Sequence, residues 1–208
     1  VNVNRIRPNS RIVVVESWMS KEPITVDVAT AIRDAMALLQ RFRIRRLLVT
    51  NDGLLVGIVT KNDLAHHPGT DPVGGIMSPE PKTVTAVTAL EDAARVMIDG
   101  KIGALPVVDS AGRPVGIITE SDTLRALIAS ISVTGPGLRL SLKGEDPDEV
   151  VCYVVEAALR HRMRILSILV TGFGNDRRIL AKLTGEHADA VIAEIWRSGH
   201  TVMSAHRY

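Results

Sequence analysis

The feature that most constrains how this chain folds is an internal duplication. Sliding the 208-residue sequence on itself by 58 positions lays Met19-Ser20 on Met77-Ser78, Glu22-Pro23 on Glu80-Pro81 and Thr25-Val26 on Thr83-Val84. Thr30-Ala31 meets Thr88-Ala89, and Asp34-Ala35 meets Asp92-Ala93. Ile44, Leu47 and Val49 meet Ile102, Leu105 and Val107. One extra residue in the second copy's turn (Asp109-Ser110-Ala111-Gly112 against Asn51-Asp52-Gly53) moves the offset to 59. Gly57-Ile58-Val59-Thr60-Lys61-Asn62-Asp63 then lies on Gly116-Ile117-Ile118-Thr119-Glu120-Ser121-Asp122. Agreement through several kinds of element marks a duplicated structural unit.

Each copy reads β-α-β-β-α. A short extended lead (Ile24–Val26, Thr83–Thr85) precedes a helix expected to be N-capped by Thr30 or Thr88, the latter in a capping box with Glu91. The stretches Ala31–Phe42 and Ala89–Asp99 place Ile32, Ala35, Leu39 and Leu90, Ala93, Met97 on one face, the spacing of an amphipathic helix. Strands Leu47–Thr50 and Leu105–Val108 are followed by Asn/Asp/Gly turns and strands Leu55–Thr60 and Val115–Thr119, a hairpin by its turn chemistry. Asp63 and Asp122 open a second helix. His66–Asp71 and Pro72 form a breaker-rich junction between the copies.

Composition narrows the function classes. Apolar residues make up 46% and aromatics only 3%, so the core is aliphatic. The 25 Lys plus Arg and 23 Asp plus Glu are interspersed, and a pI of 8.9 points weakly to anionic ligands. Nucleic-acid binding ranks last among the readings, because too few aromatics are present for base stacking. The single cysteine, Cys152, precludes an intramolecular disulfide and fits a reducing compartment. No apolar run approaches the length of a membrane span. The expectation is a soluble, cytoplasmic protein.

The duplicated β-α-β-β-α order with these motifs resembles the cystathionine-β-synthase-type (CBS) domain pair, over about residues 15–130. The resemblance implies two intertwined repeats with two clefts between them, where adenine nucleotides (AMP, ADP, ATP) or related adenosyl ligands bind. It also implies a non-catalytic regulatory role. CBS nucleotide sites carry a Gly-hydrophobic-hydrophobic-Ser/Thr-x-x-Asp pattern, and both copies keep it. Thr60 with Asp63 and Thr119 with Asp122 are the implied ribose contacts, since a carboxylate there accepts hydrogen bonds from the ribose hydroxyls. Thr-x-x-Asp is equally an ordinary helix start. Gly103-Ala104-Leu105-Pro106 matches the segment that lines the cleft in the family, with small residues that let a ligand approach the backbone. The first copy departs, having Arg45-Arg46-Leu47-Leu48 there. Arg45 and Arg46, within the run Arg41, Arg43, Arg45, Arg46, match the corner where basic side chains reach phosphates. A solvated, dipole-complementing helix end fits the same run. Thr25, Val26, Thr83 and Val84 complete the candidate ligand contacts.

Beyond the Gly/Pro-containing stretch 131–137 the pattern changes. Leu138, Leu140 and Leu142 alternate with Arg139, Ser141 and Lys143, a half-buried strand. Asp146 caps a helix with Pro147 at its first position. Val150/Val151, Val154/Val155 and Ala158/Leu159 form its buried face, and it ends near His161. Strand Ile165–Thr171, turn Gly172–Asp176, strand Arg177–Leu183, a helix with Val191, Ile192 and Ile195 inward and Gly199 as its stop, and strand Thr201–His206 follow. This βαββαβ order is ferredoxin-like. After a CBS pair it looks like an ACT domain, as in the acetoin-utilisation (AcuB-like) regulatory family. The resemblance implies a homodimer and an amino acid near the Gly144-Glu145-Asp146-Pro147 loop.

The reading is therefore a mixed α/β (α+β) chain: an N-terminal extension 1–14, CBS repeats 15–70 and 71–130, linker 131–137 and an ACT-like domain 138–208. No nucleophile elbow or phosphate-loop lysine occurs, and the six histidines lack metal-ligand spacing. A non-enzymatic sensor without catalytic cofactor or metal is expected. The alternative is a ligand-free scaffold for a partner enzyme.

Overall fold

The computed structural model describes residues 13–67, 69–131, 135–172 and 174–207. Most of the expected N-terminal extension, Pro68, three residues of the linker, Phe173 and Tyr208 lie outside them. The chain divides into two compact units, one ending at Leu124 and one starting at Arg125.

In the first unit, β1 (Ser20–Lys21), β2 (Thr25–Asp27), α1 (Ile32–Phe42), β3 (Arg46–Asn51), β4 (Leu54–Thr60) and α2 (Lys61–His66) make the first copy. The second has β5 (Ser78–Pro79), α3 (Leu90–Gly100), β6 (Ala104–Val108), β7 (Pro114–Thr119) and α4 (Glu120–Ser130), whose residues from Arg125 on fall in the second unit. The expected lead strand Thr83–Thr85 is reduced to one parallel bridge, Val84 to Val107. Both hairpins, β3/β4 and β6/β7, are antiparallel as their turn residues predict. The expected helix faces are buried: Ile32, Ala35 and Leu39 on α1, and Leu90, Ala93 and Met97 on α3.

The two copies exchange their leading segments. β1 of the first copy pairs with β7 of the second, and β5 of the second pairs with β4 of the first. The sheets are therefore β1-β7-β6 and β2-β3-β4-β5, each with strands from both repeats. Gly57 and Gly116 make the exchange fit. A Cβ on Gly57 would stand 2.3 Å from Met77 Sδ, and one on Gly116 would stand 2.6 Å from Met19 Sδ. The methionine of each Met-Ser pair thus packs on the glycine of the other repeat's strand.

The same exchange overturns the capping expectation. The N-caps of α1 and α3 are Ala31 and Ala89, without side-chain caps. Main chain from the segments that precede each repeat's partner takes the orphan donors instead: Ile32 N–H donates to Asp71 O and Arg33 N–H to Gly69 O in the junction between the repeats, and Leu90 N–H donates to Val13 O ahead of the first repeat (2.9–3.0 Å). The Thr88 hydroxyl accepts from Thr85 N–H at 3.0 Å and turns away from the helix.

The second unit contains β8 (Leu138–Lys143), α5 (Pro147–Arg160), β9 (Arg164–Thr171), β10 (Arg178–Thr184), α6 (Ala188–Arg197) and β11 (Thr201–Arg207). Its sheet runs β11-β8-β10-β9, antiparallel throughout, which is the ferredoxin-like βαββαβ arrangement. Leu138, Leu140 and Leu142 are buried as the alternation predicts, against Val150, Val154, Ala157, Ala158, Val191 and Ile195. Asp146 caps α5 by accepting from Asp148 N–H at 2.9 Å. Among the described residues, no helix is long and apolar enough to cross a membrane.

A polar clamp ties α5 to α6. Arg160 Nε donates to Glu194 Oε1 at 2.8 Å, His161 Nε2 lies 2.6 Å from Glu194 Oε2, and the Tyr153 hydroxyl donates to the Glu194 carbonyl at 3.3 Å. The Arg160 hydrogen bond, helped by His161, holds the Glu194 carboxyl below the ordinary carboxylate range. A depressed folded-state pKa adds stability that is present above the unfolded value and disappears as pH falls through the folded one. Acid unfolding of the second unit should therefore show a stability loss below about pH 4 that is smaller in Glu194→Gln. Equal pH slopes in the two proteins, followed by circular dichroism, would refute the clamp's contribution.

Candidate functional site

Each Thr-x-x-Asp segment folds into a reciprocal box at the end of a hairpin. Thr60 N–H and the Thr60 hydroxyl both donate to Asp63 Oδ2 at 2.8 Å, and Asp63 N–H returns a bond to Thr60 Oγ1 at 3.3 Å. In the second copy the Thr119 N–H and hydroxyl donate to Asp122 Oδ2 at 2.9 and 2.6 Å, and Asp122 N–H donates to Thr119 Oγ1 at 3.3 Å. The helices start at Lys61 and Glu120, with each Asp at the third position rather than at the opening. The helix-start role of the motif is thus realised in both repeats. The box holds each carboxylate in one orientation through a single oxygen, and a carboxylate has about four acceptor positions in all. Asp63 is half-buried, whereas Asp122 is only 7% exposed.

Beside the first box lies a cavity of about 820 Å³, lined by Leu39, Gln40, Arg43, Ile44, Arg45, Arg46, Thr60, Lys61, Asn62 and Ala65. It brings together three of the expected residues, Arg45, Arg46 and Thr60. The expected arginine run splits here. Arg41 turns to the Phe42 ring, its guanidinium carbon 5.3 Å from the centroid, while the other three reach the cavity. Arg43 ends α1 in the left-handed conformation (φ 53°), as Lys101 ends α3 (φ 50°). Lys61 and Asn62 were not singled out from the sequence. Their only signal was their place as the two variable residues of Thr-x-x-Asp.

Gly103 is where the copies meet at this corner. A Cβ there would lie 2.7 Å from Arg46 Nη2 and 3.2 Å from Glu120 Oε2. The absent side chain admits an arginine from the opposite repeat. Ala104, Leu105 and Pro106 are buried in β6, with Leu105 fully enclosed. Val26 and Val84 are likewise buried, and Thr25 and Thr83 are exposed beside them.

In the second unit a separate cleft of about 890 Å³ lies at the Gly144 loop, with Lys143, Glu145, Glu149, Arg177 and His200 among its lining residues. Lys143 Nζ donates to Asp176 Oδ1 at 3.2 Å, and this bond, with Arg178 nearby, lowers the Asp176 carboxyl pKa. Among the described residues, no cluster of three His, Cys, Asp or Glu is arranged to hold a metal ion.

Comparison with known proteins agrees with the geometry. The family model of the CBS domain matches twice, over residues 15–69 and 73–129. The crystal structure of CBSX2, an Arabidopsis thaliana protein, in complex with AMP is 33% identical, covers 56% of this chain and 96% of its own, and superposes with a TM-score of 0.51. The CBS domain pair of protein MJ0100, solved with 5′-methylthioadenosine and S-adenosyl-L-methionine, is 30% identical over 57% of this chain and 98% of its own (TM-score 0.53). A Vibrio cholerae chain assigned to acetoin utilization (AcuB) is 29% identical over 59% of this chain and 95% of its own (TM-score 0.52). With more than half of its residues matched by the family model in two consecutive copies, the chain belongs to the CBS-domain family.

Proposed function

We propose that this protein is a non-catalytic sensor that binds an adenine nucleotide, or a related adenosyl ligand, in the clefts of its CBS pair. The observation that carries this reading is the duplicated Thr-x-x-Asp box, one copy of which borders a cavity walled by cations. In this reading Asp63 and Asp122 accept the ribose hydroxyls, Thr60 and Thr119 add a second contact, and Arg45 and Arg46 meet phosphate. Gly103 and the segment to Pro106 let the ligand approach the backbone, and Thr25-Val26 and Thr83-Val84 flank the base. Solved relatives that bind AMP and S-adenosyl-L-methionine support the ligand class.

The βαββαβ unit is read as an ACT-like domain spanning 138–208 that dimerises and relays the state of repeats 15–70 and 71–130 across the linker 131–137 to a partner enzyme in the cytoplasm. Its Gly144 cleft presents both signs of charge, as an amino acid requires. A ligand-free scaffold is the second reading, favoured by the near-complete burial of Asp122 inside its own box.

A thermal-shift screen with adenosine, AMP, ADP, ATP and S-adenosylmethionine, with GTP as control, separates the two. A ligand at about 100 times its dissociation constant adds about 2.7 kcal/mol, a rise of roughly 5–10 °C for a chain of this size. A rise confined to adenine ligands is expected. No rise with any of them would favour the scaffold.

A further inference from the structure

At this corner the two repeats make the same main-chain contacts but carry different charges. Lys61 N–H donates to Arg45 O at 2.9 Å, and at the matching place Glu120 N–H donates to Gly103 O at 3.3 Å. Arg43 and Lys101 occupy the same left-handed position at the ends of α1 and α3. The positions therefore correspond in space as well as in sequence. In the first copy they hold Arg43, Arg45, Arg46 and Lys61, four cations, and all four line the cavity, which has no carboxylate among its lining residues. In the second copy the same positions hold Lys101, Gly103, Ala104 and Glu120, one cation and one anion.

Several cations converging on one cavity, with no acid among them, repel each other unless an anion sits there. Guanidinium groups bind phosphate oxygens through paired hydrogen bonds, and each further phosphate adds charge for them to meet. At the second copy Glu120 places a carboxylate where the first has an ammonium, and the arginine that reaches this corner, Arg46, already faces that carboxylate beside Gly103, so a phosphate chain there meets repulsion. An uncharged or cationic adenosyl group does not.

Building on the nucleotide reading, we infer that the clefts are specialised. The first-repeat cleft takes a nucleoside di- or triphosphate, and the second-repeat position takes an adenosyl ligand without a phosphate chain.

The test is titration calorimetry on the full chain with adenosine, AMP and metal-free ATP, at low and high ionic strength. The wild type is expected to bind one ATP at least about tenfold more tightly than AMP, the equivalent of one charge-assisted contact, with the preference reduced by salt. The double variant Arg45→Ala/Lys61→Ala, both at exposed positions, should lose roughly a hundredfold in ATP affinity and less than about threefold in adenosine affinity. Retained adenosine binding reports that the cleft is still folded. Glu120→Lys should create a second tight ATP site. If adenine ligands bind but the double variant keeps the ATP preference, or the wild type never shows one, the specialisation is wrong and the nucleotide reading stands. If a folded wild type binds no adenine ligand at all, both fall together.

Discussion

Cutting the chain between Thr70 and Asp71 is expected to abolish the cooperative fold of the first unit until the two pieces are mixed. The cut falls at the boundary of the sequence repeats, where independent units would separate intact. Here each piece would lose a strand of its own sheet. Residues 1–70 would lack β5 on β4, and the second piece would lack β1 on β7. Each would also lose a main-chain acceptor at the start of its first helix, leaving the Ile32 donor of the first piece and the Leu90 donor of the second without Asp71 O and Val13 O. An unsatisfied buried donor costs about 1–3 kcal/mol, and a domain is stable by only about 5–15 kcal/mol. In each piece the orphaned donor, the missing strand and the exposure of Met19 or Met77 together consume much of that margin. Scanning calorimetry of the second piece should show only the transition of the βαββαβ unit, and mixing should restore the missing one. A cooperative transition from residues 1–70 alone would disprove the interlocked fold.

Replacing the box carboxylates should have the next largest effect, on two observables at once. Asp63→Ala removes the acceptor for both the N–H and the hydroxyl of Thr60, and Asp122→Ala does the same at Thr119. Loss of a cap costs about 0.5–2 kcal/mol, and the more buried Asp122 should lie at the upper end. Binding in the affected cleft should weaken about tenfold or more, because a charge-assisted hydrogen bond contributes roughly 1.5–3 kcal/mol. Asp→Asn variants separate the roles, since the amide oxygen keeps an acceptor for the box while the charge is lost. They should recover most of the stability but not the affinity. Unchanged adenine-ligand affinity in both alanine variants would confine these residues to the helix-start role.

The site was legible in the sequence to the extent that its chemistry is local. Thr60 and Asp63 are three residues apart, so a strand end and a helix start bring them together whatever surrounds them. Arg45 and Arg46 were placed by the corner between α1 and β3. Lys61 escaped notice because nothing in its immediate neighbourhood marks it. Its place in the cavity wall beside Arg43 and Arg45, and its contrast with Glu120, emerge only in the folded chain. The helix caps misled for a related reason. Thr30 and Thr88 have the right chemistry to cap, but main-chain acceptors distant in sequence, in the junction at Gly69 and Asp71 and at Val13, reached the first donors of the helices.

By itself, the sequence determined the duplication, the order and type of nearly every element, both hairpins and the buried faces of α1, α3 and β8. These follow from turn residues and from periods of two and 3.6, which act over a few neighbours. Only the tertiary structure decided that β1 and β5 change places between sheets, that Gly57 and Gly116 are hollows for methionines of the opposite copy, and that Arg46 crosses to Gly103. Such choices rest on contacts between segments from about 20 to almost 100 positions apart. Two repeats with the same element order and turn chemistry offer the same local preferences for pairing within a copy or across copies, so the choice lies in packing.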